Sequence, residues 1–164
     1  MTDLSRLIQR LCDAEIDFVL VGGFAAIVHG SSMLTRDLDV CTVLSPATIE
    51  KLRAMLRDVH PTHRMTPSRM SFLDNPDPGI ALNNLYLETD FGALDLLGSI
   101  TGVGEFERVR SRSVEVELYG RSLRVIAVDD LIDAKEALGR GKDLLVAKEL
   151  RAVRERHSKP EPDA

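Results

Sequence analysis

The chain has 164 residues, 44% of them hydrophobic and 29% charged, with a formal net charge of −5. That is enough to close one apolar core, and the acidic balance excludes binding nucleic acid mainly through a general positive field. A mean hydropathy of −0.05, with no long apolar run, excludes a membrane-spanning helix.

The opening MTDLSRLIQRL is amphipathic and has no signal-peptide core, and Leu4, Leu7, Ile8 and Leu11 predict a helix over Ser5 to Cys12 with one apolar stripe. DFVLVGG is a short apolar run ending in glycine, which reads as a buried strand and its turn. FAAIVHG then suits a short helix stopped by Gly30, and DLDVCTVL has strand character. Ser45 as N-cap and Pro46 at the first helical position start a helix over roughly Ala47 to Val59, burying Ile49, Leu52, Met55 and Leu56.

His60 to Gly79 is rich in Pro, Ser, Asn and Asp and predicts a loop, with at most one short strand around Met70 to Leu73. ALNNLYLETDFGALDLLG predicts two strands joined near Asp90 to Gly92, and SVEVELYGRSLRVIA a hairpin turning at Tyr119 to Ser122. Two helices close the chain: VDDLIDAKEALGR, begun by Asp129 or Asp130, and KDLLVAKELRAVRER. The expected architecture is one α/β (α+β) domain over residues 1–157, a mixed sheet with flanking helices, followed by a disordered tail at 158–164. Cys12 and Cys41 fall in core-type positions without metal-ligand spacing, so a reduced, cytoplasmic protein is expected.

The chemistry-bearing stretch is VGGFAAIVHGSSMLTRDLDV, Val21 to Val40. Residues two apart on a strand share a face, about 6.5–7 Å apart at Cα. Asp37 and Asp39 therefore project side by side while Leu38 and Val40 face the core. Two such carboxylates repel unless a cation stands between them, and an oxygen-seeking divalent ion such as magnesium fits that need. Asp95, in ALDLL, has the same setting in a neighbouring strand. Three carboxylates on adjacent strands would suit two metals about 3.5–4 Å apart. Taken singly, each feature has a structural explanation: an acid in an apolar strand can mark a strand end, and a glycine pair is usually only a turn. Gly22 and Gly23 lie between a strand and a helix, where backbone amides approach phosphate closely. No dinucleotide fingerprint and no Walker A loop is present. His29 reads as a helix-end or packing residue, and Asp90 as a turn residue on the face away from Asp95.

Together, VGGFAAIVHG, TRDLDV and the acid of ALDLL resemble the nucleotidyltransferase superfamily, whose fold is the palm of DNA polymerase β. The nearest branch is similar to small bacterial proteins of type IV toxin–antitoxin, or abortive-infection, systems. KEALGRGKDLLVAKEL also resembles that group, so the likeness spans about residues 17–150. The resemblance implies transfer of a nucleoside monophosphate from an NTP such as ATP, with two Mg²⁺ ions, to an acceptor hydroxyl on a tRNA 3′ end, a protein or a small molecule. A cognate antitoxin is an implied partner, and no membrane is. It also implies metal binding and catalysis by Asp37, Asp39 and Asp95, and triphosphate binding by Gly22 and Gly23. Thr35 and Arg36 would brace the loop or touch phosphate. Lys142 and Asp143 would lie near the nucleotide, with Lys135 and Arg140 adding positive charge; alternatively these four are a solvated helix end. The acceptor groove would come from Met65 to Ile80 and the last helices. Gly23 stands where active relatives carry serine, and Met33 where they often carry arginine. These departures motivate a second reading, a catalytically weakened nucleotide-binding or protein-interaction module. In a third, the acids of a plain α/β domain are structural.

Overall fold

The structure is a computed structural model that describes residues 2–158. Helix α1 (Leu4–Asp13) leads into β1 (Val19–Val21), α2 (Gly22–Val28), β2 (Asp37–Cys41) and α3 (Pro46–Leu56). Strands β3 (Thr62–His63), β4 (Asn84–Thr89) and β5 (Gly92–Leu97) follow, then a two-residue pair, β6 (Ser99–Ile100) and β7 (Gly104–Glu105). Helix α4 (Phe106–Arg112), the hairpin β8 (Val114–Leu118) and β9 (Arg121–Val125), and helices α5 (Val128–Leu138) and α6 (Gly141–Ser158) complete the order.

Seven strands form one mixed sheet in the order β3-β4-β5-β2-β1-β9-β8. The pairing that matters most is β2 with β5, parallel and in register: Leu38 with Leu94, Asp39 with Asp95, Val40 with Leu96. All four leucine and valine side chains of that set are fully buried. Their burial pins the register, because a one-residue slip would send both acids into the core. Leu7, Ile8 and Leu11 of α1 and Ile49, Leu52 and Leu56 of α3 join the same core. At about 25 cal/mol per Å² of apolar surface removed from water, this burial is the main force holding the sheet flat against its helices.

Local signals explain most boundaries. Ser45 caps α3, its side chain accepting from the Thr48 amide at 3.2 Å, with Pro46 at the first helical position. The β8–β9 turn uses Tyr119 and Gly120, both at positive φ, as a tight two-residue hairpin requires.

Several expectations need correction. Helix α2 starts at Gly22 rather than after the glycines, since their amides open its first turn. Helix α3 ends at Leu56, three residues short, and Met55 is only half-buried. The strand sought at Met70 to Leu73 is a single bridge from Ser71 to Thr62, and the true edge strand lies earlier, at Thr62–His63. Neither Asp129 nor Asp130 caps α5: the cap position is Ala127, and both acids occupy the first turn, where a carboxylate favours the helix dipole. Helix α4 and the β6–β7 pair were not expected at all. Of the tail at 158–164, Ser158 is the last residue of α6 and the remainder lies outside the described residues. No helix among the described residues is long and apolar enough to cross a membrane.

Candidate active site

Strand alternation and register build the site. Asp37 and Asp39 leave β2 on the face opposite Leu38 and Val40, and Asp39 lies beside Asp95 across the β2–β5 pairing. On its other side Asp39 is opposite Val21, the last residue before Gly22. Gly22 has φ +67°, and a Cβ there would stand 2.2 Å from Asp39 Oδ2. Only glycine accepts both the left-handed backbone and a carboxylate folded over the turn. The first turn of α2 has no side-chain cap, so its amides stay available beside Asp39.

Gly23 presses toward Thr35: a Cβ at 23 would meet Thr35 Oγ1 at 3.0 Å and Thr35 Cβ at 3.1 Å. Thr35 in turn donates its hydroxyl to the Asp37 carbonyl at 3.1 Å, tying the approach of β2 to the glycine turn. The hydroxyl missing at Gly23 thus has a neighbour in Thr35.

Burial pushes the Asp39 carboxyl up to about 7, and the charges of Asp95 and Asp37 push the same way against a weaker pull from Lys135. Such a group is a stressed anion, stabilised by a proton or by a cation. Two cations stand near. Arg64, just after β3, donates from Nη2 to Asp95 Oδ1. Its backbone amide is held by the Tyr86 carbonyl at 2.9 Å. Lys135, from α5, faces Asp39 and also reaches Asp143 Oδ1 at 3.4 Å.

A cavity of about 470 Å³ lies between these walls, with Gly22, Asp39 and Asp95 on the sheet side and Lys135 and Arg140 on the helical side. Leu97, Ile100 and Leu138 add an apolar border. A second cavity, of about 340 Å³, shares Asn84 and Tyr86 with the first and is lined by His63, Met65, Met70 and Leu82. Tyr86, the register partner of Asp95, lines both cavities.

The remaining site residues are spread more widely. Asp37 and Arg36 are exposed at the mouth of β2. Lys142 is exposed and does not line the cavity, whereas Asp143 is buried. Burial alone would push the Asp143 carboxyl up, but the Arg140 hydrogen bond at 2.6 Å and the Lys135 charge outweigh it and hold the carboxyl low. Asp143 therefore fixes the two cations that face the acids. His29 donates from Nε2 to the Ile126 carbonyl at 2.7 Å and packs, and Asp90 sits in the β4–β5 turn against His60. Arg64 was not foreseen: a lone arginine in an irregular segment carries no pattern, and only the three-dimensional pairing of β3 with β4 brings it to Asp95.

Among the described residues, no three His, Cys, Asp or Glu side chains close a metal cage by themselves. The donors present still suit a magnesium-type ion, which is commonly held by one or two carboxylates together with substrate phosphates and water. Asp39, an anion raised by its neighbours, is the kind of ligand such an ion relieves.

No protein-family model matches the chain, and no curated protein matches it by sequence. Solved structures do. The chain is similar to the lincosamide antibiotic adenylyltransferase LnuA in its lincomycin-bound form, at 17% identity and TM-score 0.57, over 92% of this chain and 95% of that one. It is similar to the antibiotic-resistance factor ANT(2'')-Ia in solution, at 11% identity and TM-score 0.54, over 94% and 88%. An antigenic nucleotidyltransferase-like protein of Paracoccidioides brasiliensis matches at 13% identity and TM-score 0.55, over 96% and 76%. The chain has the nucleotidyltransferase fold.

Proposed function

We propose that the chain transfers a nucleoside monophosphate from an NTP to an acceptor hydroxyl, with pyrophosphate leaving. One observation carries the reading: Asp39 and Asp95 stand in register above the Gly22 turn, inside a cavity whose opposite wall is Lys135 and Arg140. In this reading the amides of Gly22 and Gly23 and the two cations bind and orient the triphosphate. Asp39 and Asp95, with Asp37 at the mouth of β2, would hold magnesium only together with the triphosphate oxygens and water. Bound there, magnesium would supply charge neutralisation of the phosphates and lower the pKa of the acceptor hydroxyl. Asp95 takes the proton of that hydroxyl, and the apolar border of Leu97, Ile100 and Leu138 limits water at the reacting phosphorus.

The acceptor in this reading is a small hydroxyl-bearing molecule. What supports it is the methionine-lined second cavity, which shares Asn84 and Tyr86 with the first, the acidic net charge, and the likeness to two proteins named for antibiotic modification or resistance. Methionine surfaces adapt to varied apolar shapes. The sequence resemblance to the toxin branch supports other acceptors, a tRNA 3′ end or a protein, together with an antitoxin.

A labelled-NTP assay tests both. The full chain is incubated with each labelled NTP and magnesium against lincosamides, aminoglycosides, tRNA and lysate protein, with Asp39→Asn and a chelator as controls. Label on a small molecule supports the reading; label on tRNA or protein supports the toxin alternative. Label nowhere, with NTP binding seen by calorimetry, would leave the weakened binding module.

A further inference from the structure

Arg64 is the only cation within hydrogen-bonding distance of an acid of the Asp37, Asp39 and Asp95 set among the described residues. Its side chain is one-quarter exposed, and that of Asp95 15%. The pair is therefore largely shielded from water, where charge pairing is stronger than at the surface. Only one edge of the guanidinium is used: Nη2 meets Asp95, while Nε is buried with no hydrogen-bond partner. An arginine built to stay in one place normally satisfies its donors, and a buried unpaired donor is destabilising.

The segment that carries Arg64 is fixed at its base. Arg53 of α3 is 3% exposed and donates from Nε to the Phe72 carbonyl at 3.0 Å and from Nη2 to the Pro76 carbonyl, with its guanidinium 5.2 Å from the Phe72 ring. The Arg64 amide is tied to Tyr86. The backbone is thus held while the long side chain, with its unsatisfied donor, is the part able to leave. What it would leave is the carboxylate a metal needs.

We infer that Arg64 is an exchangeable counter-ion, neutralising Asp95 when no metal is bound and surrendering that carboxylate to an incoming divalent cation. This rests on the metal-dependent reading above. Arg64 takes only Oδ1 of Asp95, but a divalent ion on the other oxygen of the same carboxylate would stand within a few ångströms of the guanidinium charge and repel it. Metal affinity and the Arg64–Asp95 pair therefore oppose one another. Arg64 becomes a positioning residue that keeps Asp95 aimed in the metal-free protein.

Manganese binding to the full chain, read by electron paramagnetic resonance of the free ion, tests this. Arg64→Gln should bind Mn²⁺ at least about tenfold tighter than the wild type. Arg140→Gln removes an equal charge across the cavity without touching Asp95, and should tighten binding less than about threefold. In chelator, Arg64→Gln should also melt below the wild type, and Mn²⁺ should raise its melting temperature by more. Arg64→Lys replaces the fork by one point charge and should tighten binding several-fold, which keeps the test open if the glutamine variant does not fold. Unchanged or weaker Mn²⁺ affinity in the Arg64 variants overturns the inference, because Arg64 then stays on Asp95 beside the metal. Equal tightening in Arg64→Gln and Arg140→Gln also overturns it, leaving only a general field. If no folded form binds Mn²⁺ alone, this inference falls, because Arg64 then has no metal to yield to; the metal-dependent reading is judged separately, by transfer with the triphosphate present.

Discussion

At the scale of single residues, Asp39 and Gly22 make one unit. The Asp39 carboxyl lies near 7 in the folded chain against about 3.8 when unfolded, so between those values the folded state keeps a proton that the unfolded state has released. Metal-free stability therefore falls as pH rises from about 4 to 7, by up to about 1.4 kcal/mol per unit, and levels off above. Asp39→Asn removes this slope. The variant should be more stable than the metal-free wild type at pH 8, by about 1–3 kcal/mol in denaturant unfolding, with little difference near pH 4, and it should lose transfer activity. Gly22→Ala is expected to do the reverse to stability. Positive φ and the overlap with Asp39 should cost at least about 2 kcal/mol, read as a lowered urea midpoint. The strand positions of Asp37, Asp39 and Asp95 were legible in the sequence because alternation assigns faces. The cations beside them, Arg64 and Lys135, were less so: one had no motif, and the other could equally supply charge to a nucleotide or belong to a solvated helix end.

Among elements, the legible ones were those with strong periodicity or punctuation: the stripe of α1, the Ser-Pro start of α3, the alternation of β4, β5, β8 and β9. Helix α4 and the β6–β7 pair escaped because seven and two residues are too short to show a period. The segment between α3 and β4 read as loop because its order comes from elsewhere. Arg53, four residues after Ile49 and three before Leu56, lies on the apolar stripe of α3, and it is buried there and holds the Phe72 and Pro76 carbonyls. Arg53→Met should strand those carbonyls and cost about 2–4 kcal/mol. Hydrogen exchange and limited proteolysis should report the loss first within residues 60–79, ahead of the central sheet.

For the molecule as a whole, the sheet supplies the anions, and α5 with the turn after it supplies the cations that face them, so ligand binding should brace both parts together. Saturating magnesium and the preferred NTP, at about a hundred times the dissociation constant, should add about 2.7 kcal/mol and raise the melting temperature by roughly 5–10 °C in one cooperative transition. Chelator should return the melting temperature to the metal-free value. A rise with NTP that survives chelator would mean that the protein's own cations suffice to hold the triphosphate. The parallel pairing of β2 with β5 has a last consequence for biosynthesis and turnover. Its two acids come from separate parts of the chain, and Lys135 and Arg140 arrive only with α5 and its C-terminal turn. A nascent chain still on the ribosome, or a piece left by a protease, carries an incomplete set of these charges. In the proposed reaction, transfer should therefore begin only once α5 and the turn after it have joined the two strands.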